Sequence, residues 1–249
     1  MPAEPTPIFT LPLFPLHHVQ FPLVPLQLYI FEDRYKAMIN SCIERNEPFG
    51  VTLIKEGAEV GDPARPFEIG CMARILAVKR EEDGRMFLLA AGESRFRLLD
   101  YMEADLPYLI GKVEAIEDEP ESSENLESLS AVLQNTFLHY LRVLAEQAGE
   151  TLPQLEMPDN AILLAYYVAS IAVLTPEVKQ ELLEMTDARQ RIEAEIALLE
   201  EQIAEIERLR DPDANEPIET RQPDGSTLYA TPLASDADAL REYLREGRN

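Results

Sequence analysis

The sequence predicts an α+β protein: a small, partly closed β-barrel with one main helix, followed by an α-helical bundle. Three observations predict it. Up to residue 116 the apolar residues fall in short runs rich in β-branched and aromatic types, broken by Gly, Pro and Asp. From residue 126 onward they recur at helical steps of three and four. Between the two patterns lies Glu117-Asp118-Glu119-Pro120-Glu121-Ser122-Ser123-Glu124, which has no apolar residue to bury. The charge shifts at the same place, since residues 1–115 carry 12 basic and 17 acidic side chains and residues 116–249 carry 10 and 29. The expected division is a barrel domain over 1–118, a helical bundle over 119–210 and an acidic tail over 211–249.

Each element has a local reason. Pro2, Pro5, Pro7, Pro12, Pro15, Pro22 and Pro25 remove backbone donors too often for a helix, so Leu11 to Leu28 is expected as extended edge or bulged chain. Leu26–Phe31 reads as a strand that runs into a helix at Glu32. Over Glu32–Asn46 the residues Tyr35, Met38, Ile39, Cys42 and Ile43 fall on one helical stripe, with Lys36, Glu44 and Arg45 opposite. Strands are expected over Phe49–Lys55, Gly70–Lys79, Met86–Gly92, Arg95–Tyr101 and Tyr108–Ile116. Glu82-Asp83-Gly84-Arg85 is a hairpin signal. Closure of these short strands into a barrel removes edges they would otherwise expose.

After the boundary, Leu126, Leu129, Leu133, Phe137, Tyr140 and Leu144 form a stripe that ends at Gly149, a C-cap residue type. Asp159-Asn160 caps the nearly all-apolar Ala161–Leu174, which is expected to be buried inside the helical domain. Thr175-Pro176 opens Glu177–Met185, and Thr186-Asp187 opens a last long helix with Ile192, Ile196, Leu199, Ile203 and Ile206 on its apolar face. Its two heptads or so fall short of a coiled coil, so packing against the chain's own helices is expected. A hairpin around Gln222-Pro223-Asp224-Gly225 and an amphipathic stretch with Leu240, Tyr243 and Leu244 are expected in the tail.

Composition excludes several functions. With 46 acidic and 22 basic residues the formal net charge is -24, a field that repels phosphate backbones and anionic lipid, so neither nucleic acid nor membrane is expected as a partner. No apolar run approaches the ~20 residues of a membrane span and the start has no signal-peptide pattern, which makes the cytoplasm the expected compartment. GxxxxGK[ST], GxGxxG and GxSxG are all missing. The only histidines, His17, His18 and His139, are not clustered with Cys42 or Cys71, so no metal, cofactor or catalytic residue is assigned. Cys42 lies on an apolar helix stripe, where a structural thiol is the usual occupant.

Several motifs resemble the Lon N-terminal, substrate-binding domain. They are Leu11-Pro12-Leu13-Phe14-Pro15-Leu16 with Phe21-Pro22, then Pro25-Leu26 and Ile30-Phe31-Glu32-Asp33-Arg34-Tyr35. Phe49-Gly50-Val51, Gly70-Cys71-Met72-Ala73-Arg74-Ile75, Asp83-Gly84-Arg85, Gly92-Glu93-Ser94-Arg95-Phe96-Arg97 and Pro107-Tyr108-Leu109 follow in that family's order. Lys179-Gln180-Glu181-Leu182-Leu183-Glu184, Asp187, Arg191 and Leu198-Leu199-Glu200-Glu201 extend the resemblance to about residue 210. It implies a PUA-like pseudobarrel with a helical bundle. Lon protease places an ATPase module and a Ser-Lys peptidase after this region; neither follows here, so the resemblance is to a free-standing, non-enzymatic Lon-domain protein. The partner it implies is unfolded or partly folded polypeptide, taken up by an apolar groove or a free strand edge. Tyr29, Phe31, Arg34, Tyr35 and Phe96 are the candidate peptide-binding residues, placed by the motif around the strand-to-helix junction. Arg95 and Arg97 around Phe96 could contact an acidic peptide. RNA binding, known among PUA-like barrels, and an uncharacterised enzyme are the alternatives.

Overall fold

From residue 7 on, the proline-rich segment holds no helix before Asp33 and runs as two strands joined by turns, as its missing amide donors require. In the computed structural model residues 7–58, 64–102, 106–119, 123–152 and 155–210 are described, with the backbone of two short strands further on. Strand β1 (Ile8–Leu16) is followed by β2 (Pro25–Ile30), helix α1 (Asp33–Arg45), β3 (Phe49–Glu56), β4 (Arg65–Arg80), β5 (Met86–Met102) and β6 (Ile110–Ile116). The helices α2 (Ser123–Ala148), α3 (Ala161–Ile171), α4 (Pro176–Glu184) and α5 (Ala188–Arg210) come next, then strands β7 (Glu219–Arg221) and β8 (Thr227–Tyr229).

The six strands form one mixed sheet in the order β2-β5-β4-β3-β1-β6, and a further β5–β6 pairing closes it into a ring. Only β1 and β3 run parallel. The expected hairpin joins β4 to β5, with Arg80 opposite Met86 and Gly84 at φ +83° in its turn. The two runs expected on either side of Gly92 are a single 17-residue strand, β5. Gly92 marks no break. A Cβ there would lie 2.1 Å from the Phe21 carbonyl oxygen, because the chain before β2 crosses at main-chain distance, with Leu23 N–H donating to Gly92 O and Gly92 N–H to Val24 O.

Helix α1 ends at Asn46, whose left-handed backbone (φ 53°) lets its N–H reach the carbonyls of Cys42 and Ile43. Its stripe of Tyr35, Met38, Ile39 and Cys42 is buried with Phe14, Ile30, Phe49, Val51, Met86 and Leu88. A fully buried Met or Ile side chain contributes about 1.5–3 kcal/mol through burial. A second cluster fills the ring itself, with Leu11, Leu13, Phe96, Leu98 and Val113.

The described chain forms two compact units, Met1–Ser130 with Met157–Glu195, and Ala131–Glu156 with Ile196–Asn249. In the first unit α3 is buried, as its apolar sequence requires, packing against helix α4 and also against the barrel, where the Tyr166 ring lies 6.1 Å from that of Phe21. A buried charge cluster joins the same pieces. Arg95 Nη2 donates to Asp118 Oδ1 at 2.7 Å, Arg191 donates to both oxygens of Asp118 at 2.9 and 3.1 Å, and the Tyr166 hydroxyl donates to Oδ2 at 3.0 Å. Arg95 Nη1 also donates to the carbonyls of Leu183 in the last turn of α4 and of Met185 just after it, at 2.8 and 2.6 Å. In the second unit Leu133, Phe137 and Tyr140 of α2 and Leu199 and Ile203 of α5 are buried. Strands β7 and β8 pair antiparallel; the turn expected at Gln222–Gly225 and the stretch with Leu240, Tyr243 and Leu244 lie outside the described residues.

Candidate functional site

Strand β2 alternates as a half-buried strand should: Leu26 and Ile30 point inward at 6% and 1% exposure, whereas Tyr29 stands outward. Among the described residues β2 has one ladder partner, β5, so its other edge carries main-chain donors and acceptors outside any ladder. Tyr29 lies opposite Phe87 in that ladder, the ring centroids 4.6 Å apart, and Phe31 is 6.4 Å from Tyr29. All three rings are exposed, at 38%, 48% and 49% for Tyr29, Phe87 and Phe31. Exposed aromatics gathered at a free strand edge are a feature of binding surfaces.

The β4–β5 turn orients this patch. The Tyr29 hydroxyl donates to Glu81 Oε2 at 2.9 Å, and the Arg85 guanidinium sits 5.4 Å from the Tyr29 ring centre while pairing with Glu81 and Asp83. Partial desolvation, then the hydrogen bond to Glu81, raises the pKa of Tyr29. The backbone N–H of Arg85, followed by its charge, lowers that of Asp83. Behind the rings a cavity of 170 Å³ reaches inward, lined by Phe14, Leu28, Tyr29, Phe31, Glu32 and Tyr35 among others. Tyr35 is buried and stacks on Phe14 at 4.0 Å. Arg34 lies over the Tyr35 ring at 4.5 Å and pairs with Glu32 at 3.0 Å.

The structure thus brings together Tyr29, Phe31, Arg34 and Tyr35, and it places Phe96 elsewhere. Phe96 is fully buried inside the ring, where a Cβ on Gly50 or Gly70 would meet its Cζ at 2.9 or 2.6 Å. Arg95 is buried in the charge cluster and is not open to an acidic peptide, while the half-exposed Arg97 faces Glu114 at 3.5 Å. Phe87 belongs to the patch and was not singled out by the sequence; the outward phase of Met86-Phe87-Leu88 was its one signal. Among the described residues no group of three or more His, Cys, Asp or Glu is arranged to hold a metal ion, and no helix is long and apolar enough to cross a membrane.

The fold is a mixed β-barrel with an open strand edge at β2, extended by helices. The family model of the ATP-dependent protease La (LON) substrate-binding domain matches residues 10–201, and the chain belongs to that family, as its motifs indicated. It is 29% identical over 196 residues to Lon protease 3 of Sorangium cellulosum, covering 77% of this chain and 23% of that protein. To a Lon protease of Desulfosudis oleivorans it is 26% identical over 243 residues, 95% of this chain and 29% of the relative. The chain therefore spans about a quarter of the length of the curated relatives it matches. Among solved structures, a Lon N-terminal domain protein from Xanthomonas campestris superposes with a TM-score of 0.57 at 27% identity, covering 76% of this chain and 98% of the other. The N-terminal domain of a Mycobacterium avium complex Lon protease, at 18% identity, shares the fold with a TM-score of 0.59, covering 77% and 98% of the two chains.

Proposed function

We propose that this chain recognises unfolded or partly folded polypeptide without acting on it chemically, in support of ATP-dependent proteolysis. The observation that carries the reading is the free edge of β2 beside the exposed rings of Tyr29, Phe31 and Phe87. An unfolded segment can add to that edge as a strand, because only an open chain offers backbone N–H and C=O groups at strand spacing, and its apolar side chains can lie on the rings. Arg34, held by Glu32 and the Tyr35 ring, is the cation of the site that would contact carbonyl or carboxylate groups of the segment. Membership of a substrate-binding family supports the same reading.

The test is a titration of a labelled, permanently unfolded protein against the full chain. Saturable binding is expected at about 1–100 μM, since a generalist surface must order a flexible ligand. Tyr29→Ala with Phe87→Ala should weaken it about tenfold or more with little change in melting temperature, because both side chains are exposed. Phe96→Ala should do the reverse, costing about 3–5 kcal/mol of stability. No saturable binding by a folded parent would rule the proposal out.

A further inference from the structure

The β4–β5 ladder ends at the Ile69–Arg97 pair, yet β4 extends back to Arg65 and β5 on to Met102. Past that pair β4 stays with β3, through Ile54–Pro66 and Glu56–Arg65. Strand β5 goes with β6, from Leu98–Val113 to Met102–Ile110. The two strands diverge, and over these residues each has a single ladder partner. A cavity of 420 Å³ lies in the fork.

The fork has the lining an extended peptide needs. Pro66, Ile69 and Leu98 supply an apolar floor, and Leu99 and Tyr101, both about two-fifths exposed, stand at its side. At 3.3–3.4 Å per residue, about 4.8 Å between strands and about 10 Å between packed layers, one extended residue fills on the order of 160 Å³, so roughly two or three residues fit. The charges are not balanced. Lys55 lies 5.6 Å from the centre of the Phe67 ring, and Arg65 pairs with Glu56 at 3.7 Å. Glu68, Asp100 and Glu184 give the fork three carboxylates against two cations. Glu184 is also the last residue of α4, where helix carbonyls add negative potential.

We propose that this fork is a second peptide site, which takes a basic, aliphatic segment of polypeptide as a strand inserted between β4 and β5. It shares with the proposed function only the premise that the ligand is unfolded chain, and it uses none of the residues of the Tyr29, Phe31 and Phe87 patch. The Ile69 carbonyl at the apex already accepts from Gln180 Nε2 at 3.0 Å, so backbone pairing to the two edges beyond it supplies the attraction, and the acidic lining selects the sign of charge.

The test uses a fluorescent, end-blocked pentapeptide of sequence Val-Lys-Val-Arg-Val and the full chain, read by anisotropy. The parent should bind it saturably and bind the Val-Glu-Val-Asp-Val counterpart at least about tenfold more weakly. The double variant Glu68→Lys with Glu184→Lys should lose about tenfold; both positions are exposed, and because Glu184 accepts a hydrogen bond from the buried Gln180, circular dichroism and Glu68→Lys alone check that the loss is not one of fold. Methylation of alternate backbone nitrogens of the peptide should weaken binding by a similar factor, since it blocks strand pairing. Tyr29→Ala with Phe87→Ala should leave it unchanged. The fork assignment fails if the parent does not bind the basic peptide, if the acidic or methylated peptide binds as well, or if the double lysine variant is unaffected. Loss of the probe in the Tyr29 and Phe87 variant alone would move the peptide to the β2 edge, ending this inference and leaving the other standing. Failure of unfolded-protein binding with the fork behaviour intact would do the opposite.

Discussion

Arg95 and Phe96 are neighbours that face opposite ways, as alternate residues of a strand must, and both are buried because the ring lies on one face of β5 and helices on the other. Two arginines there share one carboxylate, Asp118. Removing its charge takes the ionic partner from the buried Arg95 and leaves the buried Arg191 only the nearby Glu195, so Asp118→Asn should destabilise the fold by about 3–5 kcal/mol. Urea denaturation of the variant against the parent measures this, and a cost below about 1 kcal/mol would show that the backbone carbonyls alone hold the arginines. Lys179 makes a pH-dependent contribution. Burial brings its pKa down from 10.5 to about 8, although its Nζ donates to the Ser170 carbonyl at 2.9 Å. Between those values the unfolded chain binds more protons, so this group makes stability rise with pH from about 8 to 10.5. The stability of the parent minus that of Lys179→Met should therefore grow across the window, by on the order of 1–3 kcal/mol. A flat difference from pH 7 to 10.5 would mean that Lys179 is solvated.

At the scale of elements, Leu199 is 1% exposed on α5, as its apolar stripe implied. Leu199→Asp places a carboxylate there without a partner and should cost several kcal/mol, read as a fall in melting temperature; a shift of a degree or two would put the residue at the surface. Elements with local causes were the legible ones. Helix α1 was readable to within one residue because its stripe, its acidic entry and Asn46 all lie inside the segment. Strand β5 read as two because Gly92-Glu93-Ser94 looks like a break, whereas the glycine answers to Phe21, some seventy residues earlier. The apolar sequence of α3 said that it is buried but not by what, since a helix without a polar side carries no information about its partner. The candidate site divides in the same way. Tyr29 and Phe31 follow from alternation along β2, but the pocket of Phe96 is made by Gly50 and Gly70, and Phe87 joins the patch only through the register of β2 on β5.

At the scale of the whole molecule, the two thiols report the cooperativity of the first compact unit, which holds both. Cys42 and Cys71 are 2% and 0% exposed. Burial, aided by Glu47, pushes the Cys42 thiol up to about 11, and burial pushes Cys71 higher still. The reactive thiolate is thus nearly absent from the folded chain at pH 8. Neither cysteine should react with a thiol reagent in the native protein, and both should become reactive together across the urea transition seen by circular dichroism. Labelling of one thiol well before the transition would reveal a locally opening barrel. The charge of -24 acts at this scale too, raising the encounter rate of basic unfolded chains at low salt.

The pairing of β1 with β6 has a consequence for synthesis. Residues 8–12 wait for residues 110–114 before their antiparallel ladder can form, about 5–20 s at the usual pace of translation. Arg95 waits almost as long, because its acceptors at Leu183 and Met185 and its neighbour Arg191 come about ninety residues after it. The nascent barrel therefore has an open first strand until β6 is made, and an incompletely bonded arginine until α4 and the start of α5 follow. Its own β1 segment is, for that interval, the kind of unfolded chain that the proposed function assigns to the edge of β2.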